Sequence, residues 1–381
     1  GGTTALILAA STIDGDLTVR NGNSITDSGT LTVGGNLAAT TDANNGLINL
    51  GTLAVDGTVQ LTTNGNGAAT VVNDAGLNFA ASTVGGNLAA TATTGNMTDS
   101  GVLTIAGTSS FTTSANNADI TLNNTNALTG AVALNTTGGT GHATIDNGIT
   151  ALDVAASSVG GNLTLTSGHA SGITDSGTVT VGGNLAATTD AANGLINLGD
   201  LAVDGTVQLT THGSGNATVV NDAGLNFVTA TVGGNLAATA TTGNMTDSGA
   251  LTITGTTTLT TSANDATIAL DTTTNAFTGA VTITTNDSVG TDADVTIDGG
   301  TTALILAAST IDGDLTVRSG HASGITDSGL VTVGGNLAAT TDAANGLINL
   351  GTLAVDGTVQ LTTNGNGAAT VVNDAGLTFA A

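Results

Sequence analysis

Proline, cysteine, tryptophan and tyrosine are absent from the 381 residues, and apart from four histidines the only basic side chains are Arg20 and Arg318. Without cysteine there are no disulfides, thiolate metal sites or thiol nucleophiles, and the redox compartment is left open. Two arginines cannot neutralise a nucleic acid or an anionic bilayer, so neither is expected as a partner. No apolar run approaches the roughly 20 residues of a membrane helix, so no membrane insertion is expected.

What is present is acid, glycine and small apolar side chains. All 28 acidic residues are Asp, giving a net charge of −26, which keeps molecules soluble and apart. Charged residues make up only 8% of the chain and hydrophobic ones 39%, so a core is possible. It must be built from Val, Ile, Leu, Ala and five Phe.

Repetition dominates the sequence. "TVGGNLAATTDAANGLINLGDLAVDGTVQLTT" at Thr180 to Thr211 is written almost identically at Thr32 to Thr63 and at Thr332 to Thr363. The largest unit is about 150 residues, with superrepeats at approximately 13–158, 159–310 and 311–381. "GGTTALILAASTIDGDLTVR" opens the chain and recurs from Gly299 to Arg318, so both ends read as cut from a longer array. Inside each superrepeat a shorter phrase, as in "VGGNLAA" at Val33 and "VDGTVQL" at Val55, occurs fifteen times at spacings of 20 to 34 residues. Repeats at this period indicate a solenoid. Fifteen copies without a gap leave no room for a linker, so 1–381 is expected to be one continuous β-solenoid.

The period within each phrase is two. Leu31, Val33, Leu37 and Ala39 share one parity, whereas apolar residues at the 3.6 spacing of a helix are missing. Gly35 and its fourteen equivalents lie on the inward parity and read as corners, where a side chain would strike whatever lies inside the bend. A second glycine six residues earlier, such as Gly29, Gly51 and Gly101, reads as another corner, with Asn124 in its place once, at positive φ. Three short strands and three bends close one coil. The expected fold is all-β, a right-handed parallel β-helix of about 15 coils of roughly 20–34 residues. At ~4.8 Å per coil it makes a rod on the order of 70 Å long. The longest spacings, which contain "LNFAAST" or "LILAAST", read as coils with a longer side or a bulging loop.

Stacked Asp residues would repel at about 5 Å, each pair costing on the order of 1 kcal/mol. The phrases avoid this: the residue after the corner glycine runs Asp16, Asn36, Thr58, Asn87, Thr108, Ala131, in which Asn and Thr can hydrogen bond along the stack.

"VGGNLTLTSGHASGITDSGTVTVGGNLAATT" and "ADITLNNTNALTGAV" resemble the shaft repeats of filamentous haemagglutinin-like proteins, the bacterial exoproteins of two-partner secretion. The resemblance covers essentially the whole chain. It implies a right-handed β-helical shaft, an extracellular or cell-surface location, and a role in adhesion, biofilm or contact with a host or neighbouring cell.

No residue stands out as catalytic, cofactor-binding or metal-ligating. His142, His169, His212 and His321 lie in Gly- and Ser-rich loops without a second ligand nearby in sequence. A β-helical polysaccharide enzyme would need clustered carboxylates with Arg or Lys, whereas here the Asp recur in register, so single Asp changes are expected to do almost nothing. Two ligand readings stay open. Loops such as "TDAANG", 189–194, could hold Ca²⁺ weakly. Thr30 and Thr32 could begin a water-ordering row for ice, although the next coil offers Thr52 and Ala54. The expected partners are other copies of the rod, end to end or side by side, and a cell surface or glycan. The expected function is that of a structural shaft segment of a secreted or surface filament, with no enzymatic activity and no cofactor beyond weak Ca²⁺.

Overall fold

The computed structural model describes Gly2, residues 4–286 and residues 293–380. The chain is all-β, without a helix among the described residues, and its parallel strands stack as a β-solenoid. It divides into two compact units, Gly1–Ala191 and Ala192–Ala381.

In the first unit each coil crosses two opposed sheets. One sheet stacks Ile25–Asp27, Ile48–Val55, Ala69–Asn73, Leu88–Ala92 and Ser109–Asn116. The other stacks Leu17–Asn21, Leu37–Asn44, Thr58–Asn64 and Leu77–Phe79. Alternation decides what is buried: Leu31, Val33, Leu37 and Ala39 point inward while Thr32, Ala38 and Thr40 stay at least partly exposed. Phe79 and Phe111, from opposite sheets, meet edge to face at 6.5 Å and 78°.

The corner glycines do lie on adjacent rungs. Gly57 donates its N–H to Gly35 O, and Gly35 to Gly15 O, each at 3.1 Å. The reason for glycine differs from the expected one, because the crowding runs along the stack and not into the bend. A Cβ on Gly57 would lie 2.7 Å from the Gly35 carbonyl carbon and 2.6 Å from Asn36 Oδ1. The second corner holds at Gly101, whose Cβ would sit 2.9 Å from Ala81 Cα, but not at Gly51, which lies inside the strand Ile48–Val55 with open space around it. Asn124 does not take positive φ; the next residue, Thr125, has φ 20°. Asn124 instead donates to Asp99 O at 2.9 Å, which holds it in place.

The coil count also changes, to about 18 over the two units. The 29-residue step from Val55 to Val84 is not one coil with a bulge. Val59 pairs with Phe79, and Leu88, which matches Val59 in the phrase, pairs with Ala69 on the opposite sheet. The step therefore spans one and a half coils. It moves the bent half of the coil from one sheet to the other, and the step after Leu128 moves it back: Val132 faces Val154, while Leu163 faces Ala143. The second unit makes the same exchanges, at Val207 facing Phe227 with Leu236 facing Ala217, then at Val281 facing Leu306 with Leu315 facing Val295.

Candidate functional site

The polar side chains are mostly committed to holding one coil on the next. Beside the corner glycine, Asp16 Oδ1 accepts the Asn36 N–H and Asn36 Oδ1 accepts the Thr58 N–H, each at 2.8 Å. The ladder expected from the phrases is present from Asp16 to Thr58, with a backbone N–H as donor at both rungs, but it does not continue to Asn87, which lies beside Ala69 on the other sheet. Asp-Ser-Gly bends also supply staples: Asp27 accepts the N–H groups of Gly51 and Thr52 at 3.1 and 2.7 Å, and Asp327 accepts that of Gly351 at 3.0 Å. These Asp thus tie one coil to the next, which runs against the expectation that single Asp changes do almost nothing.

The face exchanges expose a need that the phrases do not advertise. Ile48–Val55 lies over two short strands but under only Ala69–Asn73, so Val55 has no strand above it. The buried Asn73 side chain takes its place: Oδ1 accepts the Val55 N–H at 2.9 Å, and Nδ2 donates to Val55 O at 3.0 Å and Gly76 O at 2.6 Å. Asn221 repeats this on Val203 and Gly224 in the second unit. On the other sheet, Ser82 Oγ accepts the Leu61 N–H at 3.0 Å and donates to Ala80 O at 2.8 Å. Ser157 and Ser309 do the same at later exchanges. A buried Asn or Ser on the inward parity of a strand was the available signal.

The histidines are not brought together into a site. His142 Nδ1 accepts the Asn162 N–H at 2.8 Å as one more rung, and His169 and His321 accept the N–H groups of Ser171 and Ser323 at 3.0 Å, closing their own loops. The His212 carbonyl accepts the Asn193 N–H at 2.9 Å. Among the described residues no three His, Cys, Asp or Glu side chains form a metal-holding group. In the loop 189–194, Asn193 sits at φ 64°, and its Oδ1 accepts both the N–H and the hydroxyl of Ser214 at 2.7 Å, so this oxygen is already engaged.

Open grooves mark one kind of exchange in each unit. A groove of about 370 Å³ is lined by residues that include Asp56, Asn78, Asn96 and Thr98, and one of about 390 Å³ by residues that include Asp204, Asn226, Asn244 and Thr246. Among the described residues Asn78 Oδ1 and Asn226 Oδ1, buried beside them, have no hydrogen-bond partner, and nothing in the structure accounts for this. Neither groove gathers an acid–base pair. The threonine row from Thr32 breaks at Ala54, as the phrases imply. In the second unit, however, Thr239, Thr260, Thr284, Thr310 and Thr332 stack on five consecutive coils of one sheet.

Each Arg meets an exposed Asp one coil on: Arg20 reaches Asp42 at 2.8 Å and Arg318 reaches Asp342 at 3.3 Å. Hydrogen bonding to Arg20 holds the Asp42 carboxyl below the ordinary carboxylate value. Burial acts the other way on Asp247 and Asp298, raising both against the hydrogen bonds that they accept. Like charges are not kept apart everywhere: Asp294 lies directly below Asp314, whose N–H its Oδ1 accepts at 2.8 Å. The extra half coil at the exchange brings these two into register, although they occupy different places in their phrases.

No curated protein and no solved structure matches the chain. A family model matches residues 1–45, 66–135, 140–210, 214–284 and 292–351, successive stretches whose starts after the first lie about half a superrepeat apart. The chain therefore belongs to the family described as repeats of unknown function (DUF5649).

Proposed function

We propose that this chain is a shaft segment of an extracellular filament on a bacterial surface, where it supplies length and stiffness. The observation that carries the reading is the use of polar groups. In each unit Asp, Asn and Ser side chains that an active site would draw on serve as rungs between coils, and in the first unit His142 does so as well. A stack in which each coil rests on its neighbours grows by adding copies, and its length is its output. The resemblance of its phrases to filamentous haemagglutinin-like shafts supports export and a role in adhesion, biofilm or contact with a host or neighbouring cell, glycans included. Copies associate with one another, not with nucleic acid. Ca²⁺ binds weakly if at all, and no reaction is catalysed. Immunogold labelling of intact cells tests this: antibody against the segment should decorate surface fibres, and deleting one superrepeat should shorten them in proportion. Label confined to the cell interior, or fibres of unchanged length, would refute it.

A second reading rests on the five-threonine column. A flat β-face carrying regularly spaced hydroxyls and methyls can order water, which makes the second unit a candidate ice-binding surface. The readout is thermal hysteresis: a freezing-point gap abolished by Thr284→Lys supports this reading, and no gap at millimolar protein removes it.

A further inference from the structure

Asparagine followed by glycine occurs nine times in the sequence, and the fold treats the pairs differently. At such a pair the glycine nitrogen can attack the asparagine side-chain amide, because glycine has no Cβ to shield it. In most pairs the nitrogen or the amide is engaged elsewhere. Gly46, Gly67, Gly346 and Gly367 donate their N–H groups to nearby backbone carbonyls, at 3.0 to 3.3 Å. Gly148 donates to Asp146 at 2.8 Å, and Asn147 before it is buried with both ends of its amide bonded. Asn21 is buried and donates to Thr4 O and Ser24 O, each at 2.9 Å, and Asn193 Oδ1 holds Ser214.

Asn64–Gly65 is different. Both residues are exposed at the end of the strand Thr58–Asn64, and the Gly65 N–H donates to Oδ1 of Asn64 itself at 2.9 Å. The nitrogen is thereby held beside the amide that it would attack. Among the described residues this contact is not repeated at Asn364–Gly365, where Asn364 Nδ2 donates to Asp342 O at 2.9 Å. In the second unit His212 stands at the matching place and offers no amide: its carbonyl accepts the Asn193 N–H at 2.9 Å, as the Asn64 carbonyl accepts the Asn45 N–H at 2.9 Å. The corner has little slack. Asn64 Nδ2 also reaches Asp42 O at 3.2 Å, and a Cβ on Gly85 in the next coil would strike the Gly65 carbonyl oxygen.

We propose that Asn64 is a site of self-modification, converted to aspartate and isoaspartate by its own backbone, and that the change loosens this corner of the first unit. The Gly65 nitrogen loses its proton to water or hydroxide and attacks Asn64 Cγ. The new N–Cγ bond closes a succinimide ring, the Cγ–Nδ2 bond breaks, and Nδ2 takes up a proton and leaves as ammonia. Water then opens the ring at either carbonyl, with no change of oxidation state. Both products lose the amide donor to Asp42 O and add a negative charge beside that residue. Isoaspartate also lengthens the main chain by one methylene, which the close approach of Gly85 to Gly65 leaves no room for. The inference stands on this geometry and does not depend on the shaft reading.

Ageing the full chain in mildly alkaline buffer, with peptide mass spectrometry to locate each amide-to-acid conversion, tests the proposal. Asn64 should convert roughly tenfold faster than Asn45, Asn66 and Asn147, a small part of what positioning a nucleophile can supply. In denaturant, where every pair has the same freedom, that preference should vanish. In aged protein the Asn45 amide should exchange with solvent faster than before, while the Asn193 amide, bonded to His212 O, should not change. Asn64→Gln, whose longer side chain cyclises poorly, should keep the Asn45 amide protected through the same ageing. Conversion at Asn64 no faster than at Asn45 in the folded chain, a preference that persists in denaturant, or equal loss of protection at Asn45 and Asn193 would overturn the proposal, and none of these readouts needs the variant.

Discussion

Asn73 is the position at which a single atom change should be most informative. Its side chain replaces a missing strand above Val55, which is only 2% exposed. Asn73→Ala leaves three backbone groups without partners: the Val55 N–H, Val55 O and Gly76 O. Each buried unsatisfied group costs about 1–3 kcal/mol, and relaxation shared among the three brings the total to roughly 3–5 kcal/mol. The loss should be local, because a solenoid opens coil by coil, so hydrogen exchange at Val55 and Leu77 should accelerate well before the far coils respond. Asn73→Asp sharpens the test. The acid keeps an acceptor for the Val55 N–H but turns the second oxygen toward two carbonyls, so at neutral pH it should be worse than Ala. Protonation restores one donor, so on acidification it should recover past Ala. If Asn73→Ala shifts stability by less than about 0.5 kcal/mol, or if Asn73→Asp outlasts Ala at neutral pH, the idea that a side chain stands in for a strand is wrong.

Other expectations follow from the same contacts. Gly57→Ala places a methyl against the Gly35 carbonyl and should lower Tm sharply, while Gly51→Ala, facing open space, should be tolerated; equal effects in thermal melts would contradict the stacking origin of the corner glycines. Phe111→Ala removes a fully buried ring and should cost about 3–5 kcal/mol in chemical denaturation. Asp298→Asn keeps the acceptor for the Gly300 N–H and removes the buried charge, so stability at neutral pH should hold or rise and its dependence on acid should shrink; a large loss at neutral pH would show that the carboxylate is needed. Arg20→Ala, in an exposed pair, should leave the melting curve unchanged.

The sequence alone determined the class of fold. Period-two alternation, glycine at a fixed place in every phrase and repeats without gaps admit little except stacked parallel coils, because each of these signals is local and is copied fifteen times. It also determined the polar ladder beside the corner, since Asp16, Asn36 and Thr58 are one phrase apart and the phrase is one coil long. Only the tertiary structure decided which phrases lie on which. Val55 to Val84 looks like a longer version of Val33 to Val55, and nothing in the spelling says that 29 residues make one and a half circuits while 22 make one. The answer depends on whether Phe79 or Leu88 covers Val59, a competition between two apolar residues of equal parity that the rest of the stack settles. From that half coil follow the features that a linear reading could not place: Asn73 and Ser82 as substitute rungs, Asp294 beneath Asp314, and a bent half that changes faces. Pairing along a stack is a relation between residues about twenty apart, and each extra half circuit changes every such relation beyond it.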